Sequence, residues 1–208
     1  MRTISIDISD LEFQKFGLKA DRLSFSAFVD IVSRELSRQN LAKTVELAER
    51  YGLSNMTMDE ISNEVKAVRN NNAAHSWHNV LVSANIQRSY PYFIVDLIFA
   101  DPNLELCFSE ELFTEYVDVL NREKFAKFPN FHSRAQILLS DIRTFGFQFT
   151  TNTKVDIIKD EPDNRLLELA ETCKAQYLVT GNTNDFTMTE HKGTKIVSPK
   201  EFFEIINK

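Results

Sequence analysis

The chain has 208 residues, 24 Lys and Arg against 30 Asp and Glu, and a formal net charge of −6. That balance excludes a chain basic throughout, so nucleic acid would have to be met through a local basic patch. Hydrophobic residues make up 43%, enough for a real core, and the two cysteines, Cys107 and Cys173, exclude a disulfide framework and read as buried free thiols of a reducing compartment.

The start alternates polar and apolar residues, which excludes a signal peptide, and no run approaches the roughly 18 apolar residues of a membrane span. A cytoplasmic protein with no membrane partner is expected. In residues 2–8, Ile4, Ile6 and Ile8 share one face, and Thr3, Ser5 and Asp7 the other, the period of a strand. A short helix is expected over residues 10–16. Ser24 caps a long helix to about residue 51, with Phe25, Phe28, Val29, Val32 and Leu36 as its apolar stripe and Gly52 as its stop. One strand and two helices in so short a segment bury their apolar faces poorly alone, so a homodimer or higher homo-oligomer is expected. Thr57 and Glu60 form a capping box. Ile61, Val65 and Val68 follow as a narrow stripe suited to docking in a groove. Residues 70–74 read as a linker.

Beyond the linker, residues 79–84 (NVLVSA) read as a strand. A helix is expected over 94–99 and a strand over 104–108. Ser109 caps a helix over 110–121, with Leu112, Phe113, Tyr116 and Leu120 inward. A further amphipathic helix spans 132–144, with Ile137, Leu138 and Ile142 inward. A strand covers 145–149, and a shorter extended piece 155–158. Asp163 opens a helix whose apolar positions are Leu166, Leu167, Leu169 and Ala170. The strand 177–180 ends in the polar turn 181–186, made of residues that tolerate tight loop geometry. Helices alternating with parallel strands make a three-layer α/β/α sandwich. Such sheets carry their chemistry at the carboxyl ends of strands, where Asn182 and Asp185 would sit.

The stretch from Asp160 to Phe186, with an acid before a helix, a YLVT strand, Gly-Asn and a nearby Asp-Phe, resembles the C-terminal half of a PIN domain, the nuclease domain of VapC-type toxins. Residues 195–203 resemble its closing strand and last helix, and 79–84 its first strand. The resemblance covers about residues 75–208 and implies a metal-dependent endoribonuclease acting on RNA. It implies Mg²⁺ or Mn²⁺ held by carboxylates, ions that lower the pKa of a water and stabilise charge on the attacked phosphate. Position by position, Glu115 and Asp163 match the family's acids, Asn182 its last polar ligand, and Asp185 lies three residues on. The implied catalytic set is Glu115, Asp163, Asn182 and Asp185, the implied metal ligands are Glu115, Asp163 and Asp185, and Asp160 is close enough to support them. Without the resemblance, Asp163 reads as a helix N-cap, Glu115 as a solvated helix face, and Asn182 and Asp185 as turn formers. Trp77 stands where the family has its first metal-binding Asp. Indole offers no lone pair to a hard cation, so the resemblance implies a site impaired at that position.

Residues 1–54 resemble a ribbon-helix-helix antitoxin, a small β-α-α domain whose paired strands lie in a DNA major groove. The resemblance implies that Arg2, Thr3 and Ser5 face operator DNA. A strand-exchanged dimerisation module without DNA is the other reading of the same pattern. Residues 55–74 resemble the toxin-docking segment of VapB-type antitoxins, in which a basic residue enters the acidic site; Lys66 and Arg69 match, and on a helix face either is also a solvated charge. The whole chain thus resembles an antitoxin fused to its toxin, 1–54, 55–74 and 75–208. It is either a restrained ribonuclease or a catalytically inactive dimer that binds DNA as an autoregulator. Arg69 lies only eight residues before Trp77, which implies docking on a partner chain.

Overall fold

Polar caps set several of the described helix starts. The computed structural model describes residues 4–69, 76–159, 161–182 and 185–207. Ser9 and Glu12 close a capping box on α1 (Asp10–Lys15), and Ser24 accepts from the Ala27 amide at 3.1 Å to start α2 (Phe25–Arg50). Gly52, at φ 73°, leaves α2 in the left-handed region that favours glycine and leads into a 3-10 turn, Leu53–Asn55. Thr57 and Glu60 then cap α3 (Met58–Arg69), the Thr57 amide donating to Glu60 Oε2 at 2.8 Å.

Helices α4 (Ser76–Ile86) and α5 (Tyr90–Ala100) follow, then β1 (Cys107–Phe108), α6 (Glu110–Leu120), α7 (Glu123–Ala126), α8 (Pro129–Phe145) and β2 (Phe147–Gln148). The chain closes with α9 (Glu161–Cys173), β3 (Tyr177–Val179), β4 (Glu190–His191), β5 (Thr194–Val197) and α10 (Pro199–Ile206). β1 pairs with β2 in parallel, and β3 with β5 in parallel, while β4 runs antiparallel to β5. The mixed helix and sheet content and the small parallel sheets are those of an α/β protein.

Residues 79–84 are helix, not strand. Val80 to Ile86 are all buried, and a continuous apolar run has no period to distinguish a buried helix from a buried strand. With α4 helical, the sheet is two fragments, β1-β2 and β3-β5-β4, rather than one continuous parallel layer. Residues 4–9 form no strand either: Ile4, Ile6 and Ile8 are exposed, and a lone alternating segment has no ladder to join.

The stripe expected on α2 is also largely uncovered, with Phe25 75%, Val29 42% and Leu36 59% exposed. The helix instead buries Leu41, Val45, Leu47 and Ala48 in its second half. That half packs on α8, α4 and α5. Polar pairs fix the packing: Asn40 Nδ2 donates to the Arg134 carbonyl at 3.0 Å, and Arg134 donates back to Asn40 Oδ1 at 3.1 Å. Arg38 grips Asp96 of α5 through two bonds, 2.9 and 3.0 Å, and the bonded carboxylate holds the guanidinium pKa above its usual value. On α8, Leu138 and Ile142 are buried as expected, but Ile137 is 52% exposed and Phe131, Ala135 and Leu139 are buried in its place.

α3 packs on α4 and α6 of its own chain, where docking on a partner chain was expected. Ile61 is fully buried in the same core as α2 and α8, and Glu64 accepts from Arg122 at 2.7 Å.

Candidate active site

The candidate acids reach the same end of the fold from three directions. Ser109 accepts from the Leu112 amide and starts α6, whose helical spacing turns Glu115 inward beside Leu112, Tyr116 and Val119; its residue is 6% exposed. α9 begins at Glu161, so Asp163 is its third residue rather than its cap, and it is fully buried. A carboxylate there faces the positive end of the helix dipole. Asn182 follows β3 through Gly181, its amide N–H donating to Thr180 Oγ1 at 2.9 Å.

Asn182 joins two of the acids. Its Nδ2 donates to Asp163 Oδ2 at 3.0 Å and to Asp185 Oδ2 at 2.6 Å. Glu115 is held by a different partner: Arg165 donates to its Oε1 at 3.2 Å. Asp163 and Arg165 are two apart on α9, a spacing that does not share a helix face. Among the described residues the acids thus enter two sets of hydrogen bonds, Asp163–Asn182–Asp185 and Arg165–Glu115. Burial pushes the Tyr116 phenol well above its usual pKa, and the charge of Glu115 beside it adds to the effect.

Sequence reasoning missed Arg165, which has no periodicity to mark it and reads as an ordinary helix charge. It also missed Asn164 and Glu168, buried polar residues of α9. Asn164 Oδ1 accepts from the Ile157 and Ile158 amides at 3.0 and 2.9 Å, and its Nδ2 donates to the Ile158 carbonyl at 2.8 Å. Glu168 Oε1 accepts from the Val155 amide at 3.0 Å. These two side chains pin the extended segment 155–158 against α9. Their sequence signal was polarity at positions the apolar spacing turns inward.

A hard divalent cation asks for several oxygen ligands around one point. Among the described residues, no group of three or more His, Cys, Asp or Glu side chains comes together to hold an ion. Glu115 has an arginine on one oxygen, and the two aspartates turn oxygens onto one amide nitrogen. Among the described residues, then, these acids do not close a complete ligand set for Mg²⁺ or Mn²⁺. Asp96 of α5 is held by Arg38, away from these acids' partners.

The remaining candidates lie elsewhere. Ser5 is exposed in the extended segment before α1; Arg2, Thr3 and Asp160 lie outside the described residues. Lys66 and Arg69 belong to α3 and Trp77 to the first turn of α4, with side chains outside the described residues. No described helix is long and apolar enough to cross a membrane.

A family model described as PIN domain matches residues 78–184, just over half of the chain. No curated protein and no solved structure matches it.

Proposed function

The chain belongs to the PIN-domain family, and from that premise we propose that it is a toxin–antitoxin fusion whose VapC-like ribonuclease half is impaired at its metal site. The observation that carries this reading is the incomplete acid set. Asp163 and Asp185 meet at Asn182, while Glu115 stands on Arg165; the sequence resemblance further implies that Trp77 stands where the family has its first acidic ligand. Mg²⁺ or Mn²⁺, bound in a complete site of this class, would supply an activated water and charge stabilisation at the phosphate. The residues here that would hold part of it are Asp163, Asp185 and Glu115, and Asn182 positions the first two.

Residues 1–54 are the antitoxin-like dimerising part in this reading. The exposed apolar side chains Ile4, Ile6, Ile8, Phe25, Val29 and Leu36 support it, because a second copy would cover them. Residues 55–74 are the docking segment, with Lys66 and Arg69 as its neutralising cations. The same exposed row favours a second reading, a catalytically inactive dimer that binds operator DNA through Arg2, Thr3 and Ser5.

Calorimetry with Mn²⁺ on the native chain and on Trp77→Asp tests the proposal. The native chain is expected to show no saturable binding, whereas the variant binds the ion and gains cleavage of single-stranded RNA. A native chain that cleaves RNA with Mn²⁺, and loses that activity as Asp163→Ala, overturns it.

A further inference from the structure

A cavity of about 130 Å³ lies at the seam between the two sheet fragments. Ile94 and Ile98 of α5, Leu166, Leu169 and Ala170 of α9, and Phe202 of α10 supply most of its apolar lining. Cys107 of β1 borders it, and so do Tyr177, Leu178 and Val179 of β3. α9 packs on both β1 and β3, and α10 on both α5 and β3, so packed helices frame the space. Protein interiors are close-packed, and an aliphatic cavity of this size is large enough to hold one six-membered ring. None of the acids of the candidate site lines it.

Two open strand edges line the cavity as well. In the first fragment the Phe147 and Phe149 amides donate to the Leu106 and Phe108 carbonyls, both at 2.8 Å. Bonding alternates along a parallel ladder, so the backbone N–H and C=O of Cys107 turn away from β2. In the second fragment the Lys195 amide donates to the Gln176 carbonyl at 3.0 Å, and the Thr180 amide to the Val197 carbonyl at 2.9 Å. Tyr177 and Val179 thus turn their backbone groups away from β5. Among the described residues neither β1 nor β3 pairs with a further strand. An apolar space beside open amides and carbonyls suits a ligand with an apolar body and one group that both donates and accepts.

We propose that this cavity binds a small neutral phenol, with its ring among the aliphatic side chains and its hydroxyl on the open edge groups of β1 and β3. A hydroxyl donates to a carbonyl and accepts from an amide, whereas an ammonium only donates and an ether only accepts. The wall favours an aromatic body over an aliphatic one. Tyr177 and Phe202 already pair edge to face, with ring centroids 5.4 Å apart, and such a pair offers a further face or edge to a third ring. Glu105 is an exposed part of the lining and marks the side open to solvent. Its negative charge repels an anion, so a ring that carries a carboxylate is excluded. The site goes beyond the nuclease reading and stands whether or not the acids bind metal.

Fluorine NMR of 4-fluorophenol titrated with the full-length chain tests the proposal. Expected are saturable line broadening from a single site and its reversal by unlabelled phenol. Fluorobenzene, which lacks the hydroxyl, is expected to bind roughly fivefold more weakly, and 4-fluorobenzoate not at all. Ala170→Leu fills the cavity from α9 and abolishes binding. Ala175→Leu, at the half-buried turn before β3, does the same from another side, and circular dichroism identifies which of the two variants is folded. No saturable broadening of millimolar 4-fluorophenol by the native chain, unchanged broadening in a folded filled variant, fluorobenzene binding as tightly as the phenol, or displacement by 4-fluorobenzoate would each overturn the proposal.

Discussion

A Cβ added to Gly146 would stand 2.7 Å from the Ile142 carbonyl oxygen and 3.1 Å from that of Leu106. The φ angle there, −87°, suits any residue, so the requirement is one of space and not of backbone conformation. Gly146 is where α8 hands the chain to β2, and its amide donates to the Ile142 carbonyl at 2.8 Å. Gly146→Ala is expected to destabilise the fold by about 1–3 kcal/mol, because backbone atoms rather than flexible side-chain ends must move. Urea unfolding checks this, and an unchanged midpoint would show that the junction has slack. Asn164 is the polar counterpart. Its side chain bonds the backbone of Ile157 and Ile158, which turns a segment without a ladder of its own into part of the structure.

Among the elements, α6 and α9 decide where the acids stand. Ser109 is buried and supplies the side-chain cap of α6, so Ser109→Ala leaves a helix-start amide without that acceptor. The expected cost is about 1 kcal/mol. It should appear as faster amide exchange over residues 110–115, with α8 unaffected. Uniform loss of protection across both helices would mean that the cap is not a local feature. α4 shows the opposite case, a helix placed by burial alone. Its residues carry no alternation and little amphipathic contrast, and its neighbours on α2, α3 and α5 enclose it.

Across the whole molecule, one core runs from the second half of α2 through α3, α4 and α5 to α8, and a smaller one joins α6, α9 and β3. The first half of α2 and the segment before α1 stay outside both. Their exposed Ile, Phe, Val and Leu side chains are left uncovered. If a second copy covers them, the chain sediments as a dimer at micromolar concentration, and the double variant Phe25→Asp, Leu36→Asp sediments as a monomer. Melting of that monomer should change by only a few degrees, since neither position contributes to the intrachain core. A native chain that is monomeric under the same conditions removes the dimer from the proposed function.

The helix starts at Ser24, Thr57 and Ser109 were legible because capping is local: the side chain that satisfies the free amide lies three residues from it. α2, α6, α8 and the β3 strand were legible from spacing for the same reason. The family was legible from Asp163, the YLVT strand and Gly-Asn. What lay beyond the sequence was every feature set by distant neighbours. α4 is a helix because it is surrounded, a fact absent from an apolar run. Residues 4–9 have strand alternation and no partner, and a strand exists only in a ladder. The site divides into an aspartate pair on Asn182 and a glutamate on Arg165, because charge partners 50 residues apart, such as Glu115 and Arg165, are chosen by tertiary packing. Short-range chemistry wrote the local elements of this protein, and only its three-dimensional packing decided which faces and acids meet.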